Sequence, residues 1–133
     1  MAFGWQLAKE LGRLDIGQTV VVKNRAPLAL EAIEGTDECI RRAGRLCASG
    51  GMVVVKVAKP RQDLRFDMPT IGVGTLESLR AAGARVLAIE TGRTILVDAD
   101  SLVGLASRSG LTVVSFRDAE GLPAVREAGA DAA

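Results

Sequence analysis

The segment AKPRQDLRFDMP, Ala58 to Pro69, sets Asp63 and Asp67 four residues apart among Lys59, Arg61 and Arg65, with Pro60 and Pro69 stiffening its ends. Two carboxylates that face each other repel. A divalent cation removes that cost and gains the hard oxygen ligands that magnesium prefers, so Asp63 and Asp67 are candidate metal ligands. Lys56, Lys59, Arg61 and Arg65 could then hold phosphate oxygens, arginine through its two-pronged guanidinium and lysine as a mobile point charge. The same residues could equally pair among themselves as surface ion pairs of little energetic value. Spacing alone leaves both readings open.

Three further stretches carry candidate groups. EGTDE, Glu34 to Glu38, falls where a strand should give way to a helix, so first-turn amides could receive an anion beside Glu34 and Asp37. Ordinary helix capping by Thr36 or Asp37 explains the same pattern. In DIGQ, Asp15 to Gln18, Gly17 permits a tight turn and Gln18 could bond a ligand, or the stretch is a plain strand entry. In AIETGRT, Ala88 to Thr94, Glu90 and Arg93 could bracket a polar ligand or simply pair across a hairpin turn. GVGT at Gly72 lacks the third glycine of a dinucleotide fingerprint, because position 77 is Glu.

The elements that must position these groups follow from apolar patterning. A short helix leads, then strands near Val20 to Val22 and Leu28 to Ile33 around a turn at Lys23 to Pro27. A helix spans Thr36 to Ala48, with Ile40, Ala43 and Cys47 on one face and Gly50-Gly51 as its stop. Met52 to Ala58 is a valine-rich run that reads as a strand covered on both sides. A helix over Thr75 to Ala82 follows the charged loop. Arg85 to Glu90 and Thr94 to Val97 read as a strand pair across Thr91-Gly92-Arg93. A helix over Ser101 to Ser109 and a strand over Leu111 to Phe116 complete the pattern. The expectation is one α/β domain, a mixed sheet flanked by short helices, over residues 1–117, with a small helix or tail over 118–133.

Composition narrows the function classes. The 133 residues suffice for one core, and 17 basic against 16 acidic side chains leave the chain nearly neutral. Near neutrality and only four aromatic residues argue against nucleic-acid binding. No run approaches 18 apolar residues, and the start lacks the apolar centre of a secretory signal. Histidine is absent, which removes Ser-His-Asp, Cys-His and histidine-zinc chemistry; acid-base or metal work falls to carboxylates, lysine or water. Cys39 and Cys47 lie roughly 12 Å apart along one helix, beyond disulfide reach, and suit a reducing compartment.

LDIGQTVVVK (Leu14 to Lys23), AIEGTDECIRRAG (Ala32 to Gly44), VVVKVAKPRQDLRFDMPTIG (Val53 to Gly72) and AIETGRTILVD (Ala88 to Asp98) together resemble the carboxy-terminal domain of the LpxI family, the UDP-2,3-diacylglucosamine pyrophosphatases. The resemblance implies hydrolysis of UDP-2,3-diacylglucosamine to UMP and 2,3-diacylglucosamine 1-phosphate, a step in making lipid A in Gram-negative bacteria. It implies a divalent cation, Mg2+ or in its place Mn2+, and an additional amino-terminal domain that helps to enclose the substrate. The resemblance then implies an essential aspartate in this loop, placed at Asp63 with Asp67 the close second, both at the metal, and Lys59 countering phosphate charge. Gln18, Glu34, Thr36, Asp37, Gln62, Arg65 and Glu90 become substrate-binding candidates. A cytoplasmic location, peripheral contact with the inner membrane and a homodimer accord with the resemblance, and the short apolar stripes suggest weak lipid binding by this chain alone. The competing class is a non-catalytic nucleotide- or phosphate-binding domain whose partner domain supplies the chemistry; a structural interaction domain is the third.

Overall fold

The computed structural model describes residues 1–119 and 122–127. The elements run α1 (Ala2–Arg13), β1 (Thr19–Lys23), β2 (Ala26–Leu30), α2 (Thr36–Leu46), β3 (Met52–Lys56), β4 (Thr70–Ile71), α3 (Val73–Ala82), β5 (Ala84–Glu90), β6 (Ile95–Leu96), α4 (Ala99–Ser109), β7 (Thr112–Ala119) and β8 (Leu122–Glu127). The main sheet has the order β2-β1-β3-β5-β7-β8. Strands β3, β5 and β7 are parallel, while β1, β2 and β8 join antiparallel, so the sheet is mixed as patterning indicated.

Both faces of the central strands are covered, which is why MVVVK can be almost wholly apolar. On one face, Val20, Val22, Val55, Val57 and Ala88 pack with Trp5, Ala8 and Leu11 of α1, and Trp5 meets Phe116 at 5.5 Å between ring centroids. On the other, Val21, Val54 and Leu87 pack under α2, α3 and α4. Register places Ala29, Val21, Val54 and Leu87 in one row across four strands. Two residues further along on the same face, the row reads Thr19, Lys56 and Ile89. Glu31 follows β2 and donates its amide to the Thr19 carbonyl at 2.9 Å, so a polar row caps the apolar one.

Two expectations change. Thr94 to Val97 does not return as a hairpin beside β5; β6 leaves the main sheet and pairs in parallel with β4 as a separate two-stranded ribbon. The three-residue turn after Glu90 is followed by only two strand residues, and their hydrogen bonds go to the end of the charged loop, with the Ile95 amide on the Pro69 carbonyl at 2.8 Å. The expected small helix or tail over 118–133 is, for residues 122–127, a strand antiparallel to β7; the sheet therefore runs past 117, and 120, 121 and 128–133 lie outside the described residues.

Helix α2 sits close enough to α3 that a Cβ on Gly44 would lie 2.9 Å from both Cα and Cβ of Ala82. Gly44→Ala is expected to cost about 1–3 kcal/mol by separating the two helices. Urea unfolding would show a lower midpoint with an unchanged slope.

Candidate functional site

The ends of β3 and β5, the start of β1 and the start of α2 meet at one edge of the sheet, the carboxyl end of its parallel strands, where α/β sheets place ligands. The 58–69 loop is held there by Glu90. That carboxylate ends β5 only 4% exposed. One oxygen accepts from the buried Ala58 amide at 2.9 Å, and the other from Lys9 Nζ at 2.6 Å, with Arg93 Nε at 3.8 Å. Glu90 and Arg93 thus pair with each other, and Glu90 acts as the loop's anchor.

Within the loop, Gln62 Oε1 accepts from the Lys59 amide at 3.1 Å, and Lys59 Nζ reaches back to Asp15 at 2.9 Å. That lysine holds the exposed Asp15 carboxyl below its ordinary range. Asp63 receives a fork from Arg65, Nε at 3.0 Å and Nη2 at 2.8 Å, and hydrogen bonding from Arg65 depresses its pKa. The Asp67 amide donates to the Asp63 carbonyl at 2.8 Å, so the two aspartates lie on one turn. Both are exposed, and the Asp67 carboxylate has no hydrogen-bond or ion-pair partner among the described residues. With both Asp63 oxygens on Arg65, the pair does not fit a resident magnesium ion as it stands. Among the described residues, no three His, Cys, Asp or Glu side chains are grouped to hold a metal.

The start of α2 resolves differently from the capping reading. Gly35 is the N-cap at φ 85°, and no side chain caps the helix. Thr36 Oγ1 instead lies 3.3 Å from Glu31 Oε2 and 3.3 Å from Thr19 Oγ1. Asp37 Oδ1 is buried without a hydrogen-bond partner, and so is Gln18 Oε1. Glu34 is used locally: it accepts from the Ala32 amide at 3.0 Å and pairs with Arg42, whose hydrogen bond lowers its pKa. Thr36 therefore joins Thr19 and Glu31, whereas Glu34 binds the β2–α2 connection to its own helix.

Sequence reasoning missed Glu31 and gave Lys56 no place apart from the loop cations. Glu31 is 7% exposed and Lys56 6%, and Lys56 Nζ donates to the Thr70 carbonyl at 3.1 Å. Burial pushes the Lys56 pKa down, and the charges of Glu31 and Asp37 only partly offset it. The available signal was alternation: Glu31 stands two residues after buried Ala29, and Lys56 two after buried Val54.

A separate apolar cavity of about 190 Å³ lies beneath the β4–β6 ribbon, lined by Ile71, Leu76, Leu87, Leu96, Leu102 and Leu111 among others. Cys39 is buried, which raises its thiol pKa to about 12, and Cys47 is half-buried; both are free. No helix among the described residues is long and apolar enough to cross a membrane.

Comparison with known proteins agrees with the four motifs. Residues 1–114 match the family model described as the LpxI C-terminal domain. The chain is 41% identical over 116 residues to UDP-2,3-diacylglucosamine pyrophosphatase LpxI of Caulobacter vibrioides, covering 81% of this chain and 41% of that protein. It thus spans about two-fifths of that relative's length. Among solved structures, a proposed formate dehydrogenase accessory protein from Desulfotalea psychrophila superposes with a TM-score of 0.59 at 14% identity, over 96% of this chain and 55% of the other, a likeness of fold alone. Fold, motifs and sequence similarity together make this chain a member of the LpxI C-terminal domain family.

Proposed function

We propose that the chain is the substrate-gripping half of a UDP-2,3-diacylglucosamine pyrophosphatase, binding the nucleotide and phosphate part of the substrate while a partner domain completes the hydrolytic site. One observation carries this reading. Four large apolar side chains stand exposed on the loops around the polar edge: Leu14 at 57%, Ile16 at 49%, Ile33 at 103% and Phe66 at 85%. Such an apolar rim around a polar floor suits a surface that another domain covers, with substrate enclosed between them. Cleavage of a phosphoanhydride needs the pyrophosphate held and its charge met. Lys59, Arg61 and Arg65 supply cations at the edge, and Gln62 fixes the Lys59 backbone. The apolar cavity is small, so the partner domain shelters most of the two acyl chains. Acting on this substrate would put the complete protein in the cytoplasm, against the inner face of the inner membrane.

The second reading puts the chemistry itself in the loop, with Asp63 essential, Asp67 assisting and Lys59 countering charge. The unpartnered Asp67 carboxylate on the same turn as Asp63 favours it.

UMP release from UDP-2,3-diacylglucosamine by the complete two-domain protein separates the two, together with UMP binding to this chain with and without EDTA. Under the first reading, binding survives EDTA and Asp63→Asn keeps turnover within a few-fold. A loss of 100-fold or more in a folded Asp63→Asn protein would move the chemistry into this chain. Absence of UMP binding together with turnover by neither protein would remove the hydrolase assignment.

A further inference from the structure

We propose that the edge of the sheet opposite the candidate site is a docking face for an anionic phospholipid bilayer, formed by Arg25, Arg45, Arg80, Arg85 and Arg108 around the exposed Leu46. The proposal names a face and a lipid charge that the nature of the substrate leaves open, and it stands without the pyrophosphatase reading.

Topology collects these residues. Helices α2, α3 and α4 lead into the starts of β3, β5 and β7, so their carboxyl ends, each with an arginine in the last turn (Arg45, Arg80 and Arg108), lie together at the amino end of the parallel strands. Arg85 follows Ala84 at the start of β5, and Arg25 sits in the β1–β2 turn, which projects beyond the Val22–Val53 pair at the same end. Arg45 lines one surface depression with Ala81 and Ala82 of α3, and Arg80 and Arg85 line the next with Gly83 and Gly110. The chain has a net charge of only +1, yet its charges are sorted. Arg13, Arg41, Arg42, Arg65 and Arg93 each pair with a carboxylate. All five arginines of the amino edge are exposed, and none has a hydrogen bond or ion pair among the described residues. Arg61 and Arg117 also lack one and lie at the opposite edge.

Helix dipoles account for one cation at each helix end, but Arg25 and Arg85 stand on no helix. Protein partners are held by large aromatic or aliphatic anchors seated in pockets, and the large apolar side chain exposed at this edge is Leu46, at 63%. A bilayer makes no such demand. Its phosphates attract basic side chains spread over a plane, and one leucine can enter the headgroup region.

Cosedimentation of the chain with vesicles of phosphatidylcholine, alone or mixed with phosphatidylglycerol, reads this docking with no substrate present. The expected result is binding to the anionic vesicles only, weakening as salt is raised. Arg80→Gln combined with Arg85→Gln should weaken it roughly tenfold or more, since each basic residue near an anionic surface contributes about fivefold. Both side chains are exposed, so the melting temperature should hold. Arg45→Gln with Arg108→Gln supplies a second pair from other elements should the first misfold. Arg61→Gln with Arg117→Gln removes the same charge from the opposite edge and should change binding by less than about twofold. Absence of binding to anionic vesicles, or equal binding to neutral ones, would overturn the proposal. Equal losses from the pairs at the two edges would overturn it by showing that net charge alone is sensed. Tighter binding to polyglutamate or duplex DNA than to anionic vesicles would overturn it in favour of an acidic protein or a nucleic acid. None of these outcomes bears on UMP release, so the pyrophosphatase reading stands or falls separately.

Discussion

Alanine at position 90 is expected to destabilise the domain by about 3 kcal/mol and to loosen the 58–69 loop. Glu90 is 4% exposed and joins three segments: its own strand, the Ala58 amide that opens the charged loop, and Lys9 on α1. Removing the carboxylate leaves the buried Ala58 N–H without an acceptor, a penalty of about 1–3 kcal/mol by itself. Lys9 keeps a side chain one-quarter exposed and can turn to water, so its share is smaller. Glu90→Gln separates the two contributions, because the amide oxygen can still accept from Ala58 while the charge facing Lys9 is gone. Glutamine is expected to cost about 1 kcal/mol, and faster exchange of the Ala58 amide should appear only with alanine. Equal losses for the two substitutions in urea unfolding would mean that charge, not the amide acceptor, ties the loop down.

The α/β architecture was legible because local rules agreed. The valine run Met52–Lys56 could only suit a strand with both faces covered, and Gly83 and Gly110, each directly after an expected helix end, stop α3 and α4 in left-handed conformations. The β4–β6 ribbon was not legible. Two-residue strands leave no alternation to read, and their parallel pairing joins segments 25 residues apart by Cα partners Thr70 and Ile95. At the site, the charged loop announced itself by composition, yet its most conspicuous carboxylate, Asp63, is engaged by its neighbour Arg65. The buried polar groups drew less notice, since Glu31 and Lys56 each stand singly among apolar residues. What unites them is the register of β1 with β2 and β3, information that no single segment contains. Thr36 and Asp37 were visible as a helix start, and only the three-dimensional path shows the Thr36 hydroxyl turning to Glu31 instead of to the free amides.

Gly17 gives that register an independent test. A Cβ added there would fall 2.0 Å from the Glu31 carbonyl oxygen and 2.7 Å from its carbonyl carbon. Both are backbone atoms, so no side-chain rotation relieves the contact, and the 14–18 loop must move away from the end of β2. Gly17→Ala is expected to cost about 3 kcal/mol, the upper end for overpacking. Because the moving loop leads into Thr19, the same substitution should separate Thr19 from Glu31 and, on the proposed function, weaken UMP binding in the protein that remains folded. Gly72→Ala provides the contrast, since its Cβ would meet nothing within 4 Å and its φ of −119° suits any residue. That change is expected to stay within about 0.5 kcal/mol and leave binding intact. Equal stability of the two variants by urea unfolding would contradict the close approach of DIGQ to Glu31. A destabilised Gly17→Ala that binds normally would show that this approach serves the fold alone.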